Sequence, residues 1–182
     1  MKNVVMLFLF VLTSRLLAIE LSIQKTEINR GDCLQSYSFA EHSLLGCGHM
    51  MKFQEASKDI GKKINLTDMN VKGMRAFVDG SQILSVIDIG DEGNSALFFY
   101  SISGDKVREL GSADIMTASE ERTALAAAKY SKALDKIEIR FDTEVGKLNR
   151  KGIFQALQDV LVTIDGTKVS VSSKEKSTKP AK

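Results

Sequence analysis

The sequence predicts an α+β fold: an antiparallel β-meander with two or three helices packed on it and one disulfide. Three observations carry that expectation. Residues 63–110 alternate apolar and polar side chains between turn signals, as half-buried strands do. Thr117-Ala118-Ser119-Glu120 has the capping-box form and opens a run rich in alanine, leucine and lysine. Residues 50–60 space Met50, Phe53, Ala56 or Ser57, and Ile60 three or four apart, the period of one helix face.

The N-terminus sets the compartment. Met1-Lys2-Asn3 is a short positive region, and Val4 to Leu12 is an unbroken apolar run. Leu16-Leu17-Ala18 then offers a small residue at the expected cut, so residues 1–18 read as a secretory signal peptide. The apolar run falls short of the about 20 residues a spanning helix needs, and no stable membrane span is expected once the signal is cut. The domain expected is residues 19–171, one α+β unit, followed by a disordered basic tail over 172–182. That tail is lysine, serine and threonine with the only proline, and it has too little apolar surface to order itself. Removing Lys2 and Arg15 with the signal takes the formal charge from +2 to about zero. A near-neutral body with no tryptophan and three tyrosines argues against nucleic acid as partner.

Export decides how the cysteines read. Every cysteine and histidine lies between Cys33 and His49: Cys33, His42, Cys47 and His49. A cysteine pair in an exported chain reads as a disulfide. A Cys2His2 metal site is the competing reading, but the order Cys, His, Cys, His does not match the usual zinc spacing. The disulfide is expected to close a loop and pin it to a helix starting near His49. Gln35, Tyr37, Phe39, Glu41 and His42 would then be displayed on a closed ring, stiff enough to meet a partner at low ordering cost.

In chain order, Leu21-Ser22-Ile23 begins a short strand that ends at the turn residues Asn29-Arg30-Gly31-Asp32. A helix over about 50–60 closes at Gly61 with Lys62-Lys63 at its carboxyl end. In the meander, Asp79-Gly80 is a hairpin signal, and Ala96 to Ile102 is the most apolar run, expected as a central strand covered on both faces. A long helix follows the Thr117 capping box. Ile137, Ile139 and Phe141 mark a strand with one wet face. A short helix is expected over Ile153 to Val160, and Asp165-Gly166 signals a second hairpin.

Little else in the chain reads as chemistry. The acidic turn Asp88, Asp91, Glu92 and Asn94 has oxygen ligands suited to calcium, but not in the EF-hand order, and reads first as a hairpin turn. Ser22-x-x-Lys25 matches a short acyl-transferase motif that is common by chance. There is no G-x-S-x-G and no glycine-rich phosphate loop. Asn65-Leu66-Thr67 has the form of a glycosylation acceptor inside an expected strand. Lys147, Arg150 and Lys151 read as a solvated basic loop. No catalytic residue, metal or cofactor is expected.

The expected function is an exported, periplasmic or secreted, non-enzymatic protein-binding module. Inhibitors and immunity proteins against toxins or envelope hydrolases share this size, export and single-disulfide economy. Two alternatives remain open. One is an envelope enzyme or metal-binding protein using Cys33, His42, Cys47 and His49. The other is an assembly component of a secretion or surface apparatus.

Overall fold

Two-residue turns organise most of the chain, and they fold it into three antiparallel sheets. The structure, a computed structural model, describes residues 19–66, 69–91, 94–118, 122–133, 136–165 and 167–175; the expected signal segment lies outside them. The chain opens with β1 (Ile19–Leu21). A five-strand meander follows: β2 (Gln24–Arg30), β3 (Cys33–Phe39), β4 (His42–Cys47), β5 (Met50–Glu55) and β6 (Lys58–Asn65). We call it the disulfide sheet. Next come β7 (Asn70–Asp79), β8 (Gln82–Asp91), β9 (Asn94–Ser103) and β10 (Lys106–Ala113), which take β1 on the β7 edge to make the central sheet. The C-terminal sheet holds β11 (Met116–Thr117), β12 (Ala128–Ala133), β13 (Lys136–Phe141), β14 (Val145–Leu148), β15 (Phe154–Asp165) and β16 (Lys168–Glu175). Its order is β11-β14-β15-β13-β12, with β16 on the other side of β15. The single helix among the described residues, α1 (Ala124–Ala127), precedes β12.

The central sheet is the middle layer because its strands are apolar on both faces. Along β8 and β9, Leu84, Val86, Leu97 and Phe99 join a core with Ile137, Ile139, Val160 and Val162 of the C-terminal sheet. The alternate residues Ile87, Ile89, Tyr100 and Ile102 join a second core with Phe39, Leu44, Met51 and Phe53 of the disulfide sheet. The run Ala96 to Ile102 is thus covered on both faces, as its continuous apolarity required. Asp79-Gly80 sits at a hairpin end, with Asp79 opposite Gln82, and Asp165 stands opposite Lys168 at another, while Gly166 lies outside the described residues. Gly80 takes φ 62°, a left-handed value that glycine adopts without a Cβ penalty.

A polar cluster ties β1 to the stack. The Arg75 guanidinium donates to both carboxylate oxygens of Glu20, at 2.5 and 2.6 Å, and to the Ala128 carbonyl at 3.0 Å. It lies 4.4 Å from the centre of the Tyr130 ring, which packs on Phe77 with centroids 4.2 Å apart. One side chain therefore joins β1, β7 and β12.

The expected α+β class is overturned: the protein is nearly all β, and each of the three expected helices fails for a physical reason. Residues 50–60 are the β5–β6 hairpin, and the three-to-four spacing arises from chain reversal at Ala56-Ser57. Met51 and Phe53 point inward on β5 and Ile60 inward on β6, whereas Met50 is on the exposed side. Ser119 and Glu120 of the expected capping box lie outside the described residues, and among those described the long helix expected after Thr117 is one turn, Ala124–Ala127. Its cap is Thr123, whose hydroxyl accepts from the Ala126 amide at 3.2 Å. Helix propensity is a weak prior, and here β12 gains a full ladder with β13 and buries Ala128 and Tyr130 against the core. The expected 153–160 helix is the first half of β15. A bulge at Asp159 (φ 52°) shifts its register against β16 between Gln158 and Leu161. The extra residue puts Leu157 and Val160 on the same inward face, so a bulge imitates helical spacing. Finally, β16 carries ladder pairing to Glu175, past the Ser172 where the tail was expected to begin, because β15 supplies backbone partners there.

Candidate functional site

The disulfide sheet is built from short hairpins, and its two faces are chemically distinct. Strand alternation turns Tyr37, Phe39, Leu44, Met51, Phe53 and Ile60 toward the central sheet. Cys33, Leu45 and Cys47, with Ile28 beside them, form a separate small cluster on the outer face. Cys33 and Cys47 are bonded, and they stand directly opposite each other on β3 and β4. The bond therefore locks two strands that already pair. The expected loop-to-helix staple is corrected: the residues between the cysteines are a hairpin, and the stretch after His49 is a strand.

Around this centre the face stays partly apolar. Leu34, next to Cys33, is 62% exposed, and Met50, opposite Cys47, is 38% exposed. On one side the face ends in a polar cluster. The buried Gln54 amide donates to Asp59 at 2.6 Å, and Lys52 reaches the other oxygen at 3.2 Å. The Gln54 hydrogen bond, helped by Lys52, holds the Asp59 carboxyl below its ordinary range. The cysteines are both committed to the bond, so what the face offers is shape and apolar surface, not a nucleophile.

The five residues expected on a closed ring are separated. Tyr37 and Phe39 are core residues, 2% and 1% exposed, and cannot touch a partner. The Tyr37 hydroxyl donates to Gln35 at 2.9 Å, so half-buried Gln35 serves the core edge. Glu41 is exposed in the β3–β4 turn, where its carbonyl accepts from the Ala56 amide at 3.2 Å and joins two neighbouring turns. The His42 side chain is 10% exposed, stacked on Phe39 with centroids 5.9 Å apart and 3.8 Å from Glu55. His49 lies in the exposed turn between β4 and β5. With the thiols bonded and the histidines on different segments, the Cys33, His42, Cys47 and His49 set is not assembled as ligands. Among the described residues no group of three or more His, Cys, Asp or Glu side chains is arranged to hold a metal ion.

The acidic turn is also divided. Asp88 is fully buried on the face toward the C-terminal sheet, near Tyr130, while Asp91 and Asn94 pair at the hairpin end; Glu92 lies outside the described residues. Thr67 of the acceptor motif lies outside them as well. Lys147 belongs to β14, and Arg150 and Lys151 sit in the exposed loop after it, where the Asn149 side chain accepts from the Lys151 and Ile153 amides.

Leu34 was not singled out from the sequence, and Met50 was read as one position of an expected helix face. Parity from Tyr37 and Phe39 does not place Leu34: a bulge between Cys33 and Gln35 breaks the alternation there, so Cys33 lies on the outer face although Tyr37 and Phe39 face inward. No family model matches the chain, and neither the curated proteins nor the solved structures contain a significant match to it.

Proposed function

We propose that this is an exported, non-enzymatic protein-binding module, of the kind that inhibits a toxin or envelope hydrolase, and that it meets its partner with the outer face of the disulfide sheet. The observation that carries this reading is the apolar centre of that face. Ile28, Leu45 and the Cys33–Cys47 bond form a small satellite cluster, and the exposed Leu34 and Met50 extend it to the surface. Interfaces combine an apolar centre with a polar rim, and the Lys52, Gln54 and Asp59 cluster supplies one. The disulfide supports an oxidising compartment, in keeping with the signal-like N-terminus. Among the described residues no helix is long and apolar enough to cross a membrane.

The test is capture by the mature chain, residues 19–182, from a cell-envelope fraction, with bound protein identified by mass spectrometry. One stoichiometric partner is expected. Leu34→Asp and Met50→Asp should each reduce its capture at least about tenfold, the scale of about 1.4 kcal/mol, with an unchanged unfolding midpoint. Equal capture by both variants, or turnover of an envelope substrate without a stoichiometric partner, would sink the reading.

A further inference from the structure

We infer that the groove between β6 and β10 is a second site, which binds a short zwitterionic peptide through an apolar side chain and both of its charged ends. β6 and β10 are edge strands of two different sheets, each hydrogen-bonded to a neighbour on one side. Where the edges converge they enclose a groove of ≈ 380 Å³, within the about 300–1,000 Å³ common for small-ligand sites. Its apolar lining is Ile64, Tyr100 and Val107, and its charges are Lys62, Lys106, Asp105 and Glu109. Gly61 fixes the closed approach of the strands: it has φ 64°, and a Cβ there would stand 2.7 Å from the Val107 Cβ.

Charge complementarity names the ligand. Two cations and two carboxylates surround one apolar floor, and among the described residues none of the four is ion-paired. Some charges elsewhere are matched at short range, as in Arg75–Glu20 and Lys52–Asp59. A ligand of one sign would meet repulsion from half of this rim. A short peptide with free termini offers an ammonium to Asp105 or Glu109, a carboxylate to Lys62 or Lys106, and a side chain to the floor. Tyr100 adds a neutral hydroxyl, since burial, and then Glu109, push its phenol well above the ordinary value.

A long strand adding to either edge is disfavoured. β6 carries a register shift against β5 across Gly61 with Lys62 and Lys63 following, and β10 carries one between Glu109 and Gly111. Bulges and lysines on an edge block continuous ladder pairing. Recognition therefore runs through termini and one side chain, which favours a ligand of two or three residues. The residues used differ from those of the disulfide-sheet face, so this inference stands apart from the protein-binding reading.

The test is an amide-resolved NMR titration of the labelled mature chain with the tripeptide Gly-Leu-Gly up to about 10 mM, a range suited to weak binding. Saturating shifts at Ile64, Lys106 and Val107 are expected. The same peptide acetylated and amidated, and Gly-Ser-Gly, should each bind at least about fivefold more weakly. Lys106→Gln and Asp105→Asn, both surface changes, should weaken Gly-Leu-Gly at least about twofold and leave the rest of the spectrum in place. The inference is overturned by non-saturating shifts at those amides, by equal binding of free and blocked peptides, or by variants that bind as the parent does.

Discussion

The disulfide sheet and the C-terminal sheet each turn one face away from the stack, and the two faces are built differently. On the C-terminal sheet the outward positions of β12 and β13 are Lys129, Lys136, Glu138 and Arg140. They pair with one another or with neighbouring carboxylates: Arg140–Glu138 at 3.5 Å, Lys136–Asp165 at 3.7 Å, Lys129–Asp142 at 3.1 Å. A β-surface made this way stays solvated. The outward positions of the disulfide sheet instead hold a covalent bond, Leu45, Ile28 and Met50 at the centre, with serines and a threonine beside them and the Lys52–Asp59 pair on one side. An apolar centre on an outer face is stabilised by coverage, and a bond across its middle keeps it ordered before coverage arrives. Charge pairing suits a surface that stays in water, and the apolar, cross-linked centre is the feature on which the proposed partner contact rests.

Experiment can separate the two faces, beginning with the bond itself. Replacing Cys33 and Cys47 together by alanine should destabilise the protein by roughly 3 kcal/mol, the chain-entropy value for a loop of this length, read as a lower urea midpoint. Hydrogen exchange should quicken first in β3 and β4. A loss under about 1 kcal/mol would mean that Leu45 and Ile28 hold the face without the bond.

Next is the tie on the C-terminal side of the stack. Arg75→Ala removes the Glu20 pair, the ring stacking and the Ala128 bond at once, and should cost about 2 kcal/mol. Exchange should rise in β1 and β12 while the disulfide sheet keeps its protection. Equal exposure of all three sheets would show that the ends are not independent.

Alkaline pH should act on both cores. The three tyrosines all lie in them, and burial raises each phenol above 10, at Tyr37 against Lys25, at Tyr130 against Arg75, and at Tyr100 with Glu109 reinforcing it. A raised folded value means that the native state holds the proton more tightly. The stability it contributes is complete below about 10 and is lost as pH rises from there toward the folded values. Phenolate absorbance should therefore appear late and together with unfolding. A reversible titration of even one tyrosine near 10 in the folded protein would contradict the packing described. The smallest effect belongs to the charged face: Glu138→Gln should change stability by less than about 0.5 kcal/mol and leave partner capture intact. Loss of capture there would transfer the proposed binding role to the C-terminal sheet.

Much of the meander was legible because its turns advertise themselves. Asp79-Gly80 marks a reversal that the chain makes, as do Asp165, opposite Lys168, and Gly31 at φ 63°. Other reversals carry no such mark. The β3–β4 turn uses Ala40 at φ 47°, and the β5–β6 turn uses Ala56 and Ser57 at 46° and 69°. Without glycine or asparagine as a signal, the strands on either side of Ala56-Ser57 merged into one helical pattern. The exposed apolar residues were misplaced for a related reason. Reading Cys33 to Cys47 as a loop put Tyr37 and Phe39 on display, whereas strand alternation buries them, and Leu34 stands exposed at the bulge between Cys33 and Gln35.

The sequence by itself determined the bond, because two cysteines allow one intramolecular pairing, and the hairpins whose glycine turns are set by local backbone sterics. It also determined that Ala96 to Ile102 lies in the middle, because a strand apolar on both faces must be covered on both. Only the tertiary structure decided that the alanine-rich 124–133 segment is mostly strand, and that Leu157 and Val160 share a face through a bulge. Only it decided which face of each sheet looks outward. Those outcomes rest on ladder partners and packing surfaces supplied by residues far along the chain, and local propensity is too weak to oppose them.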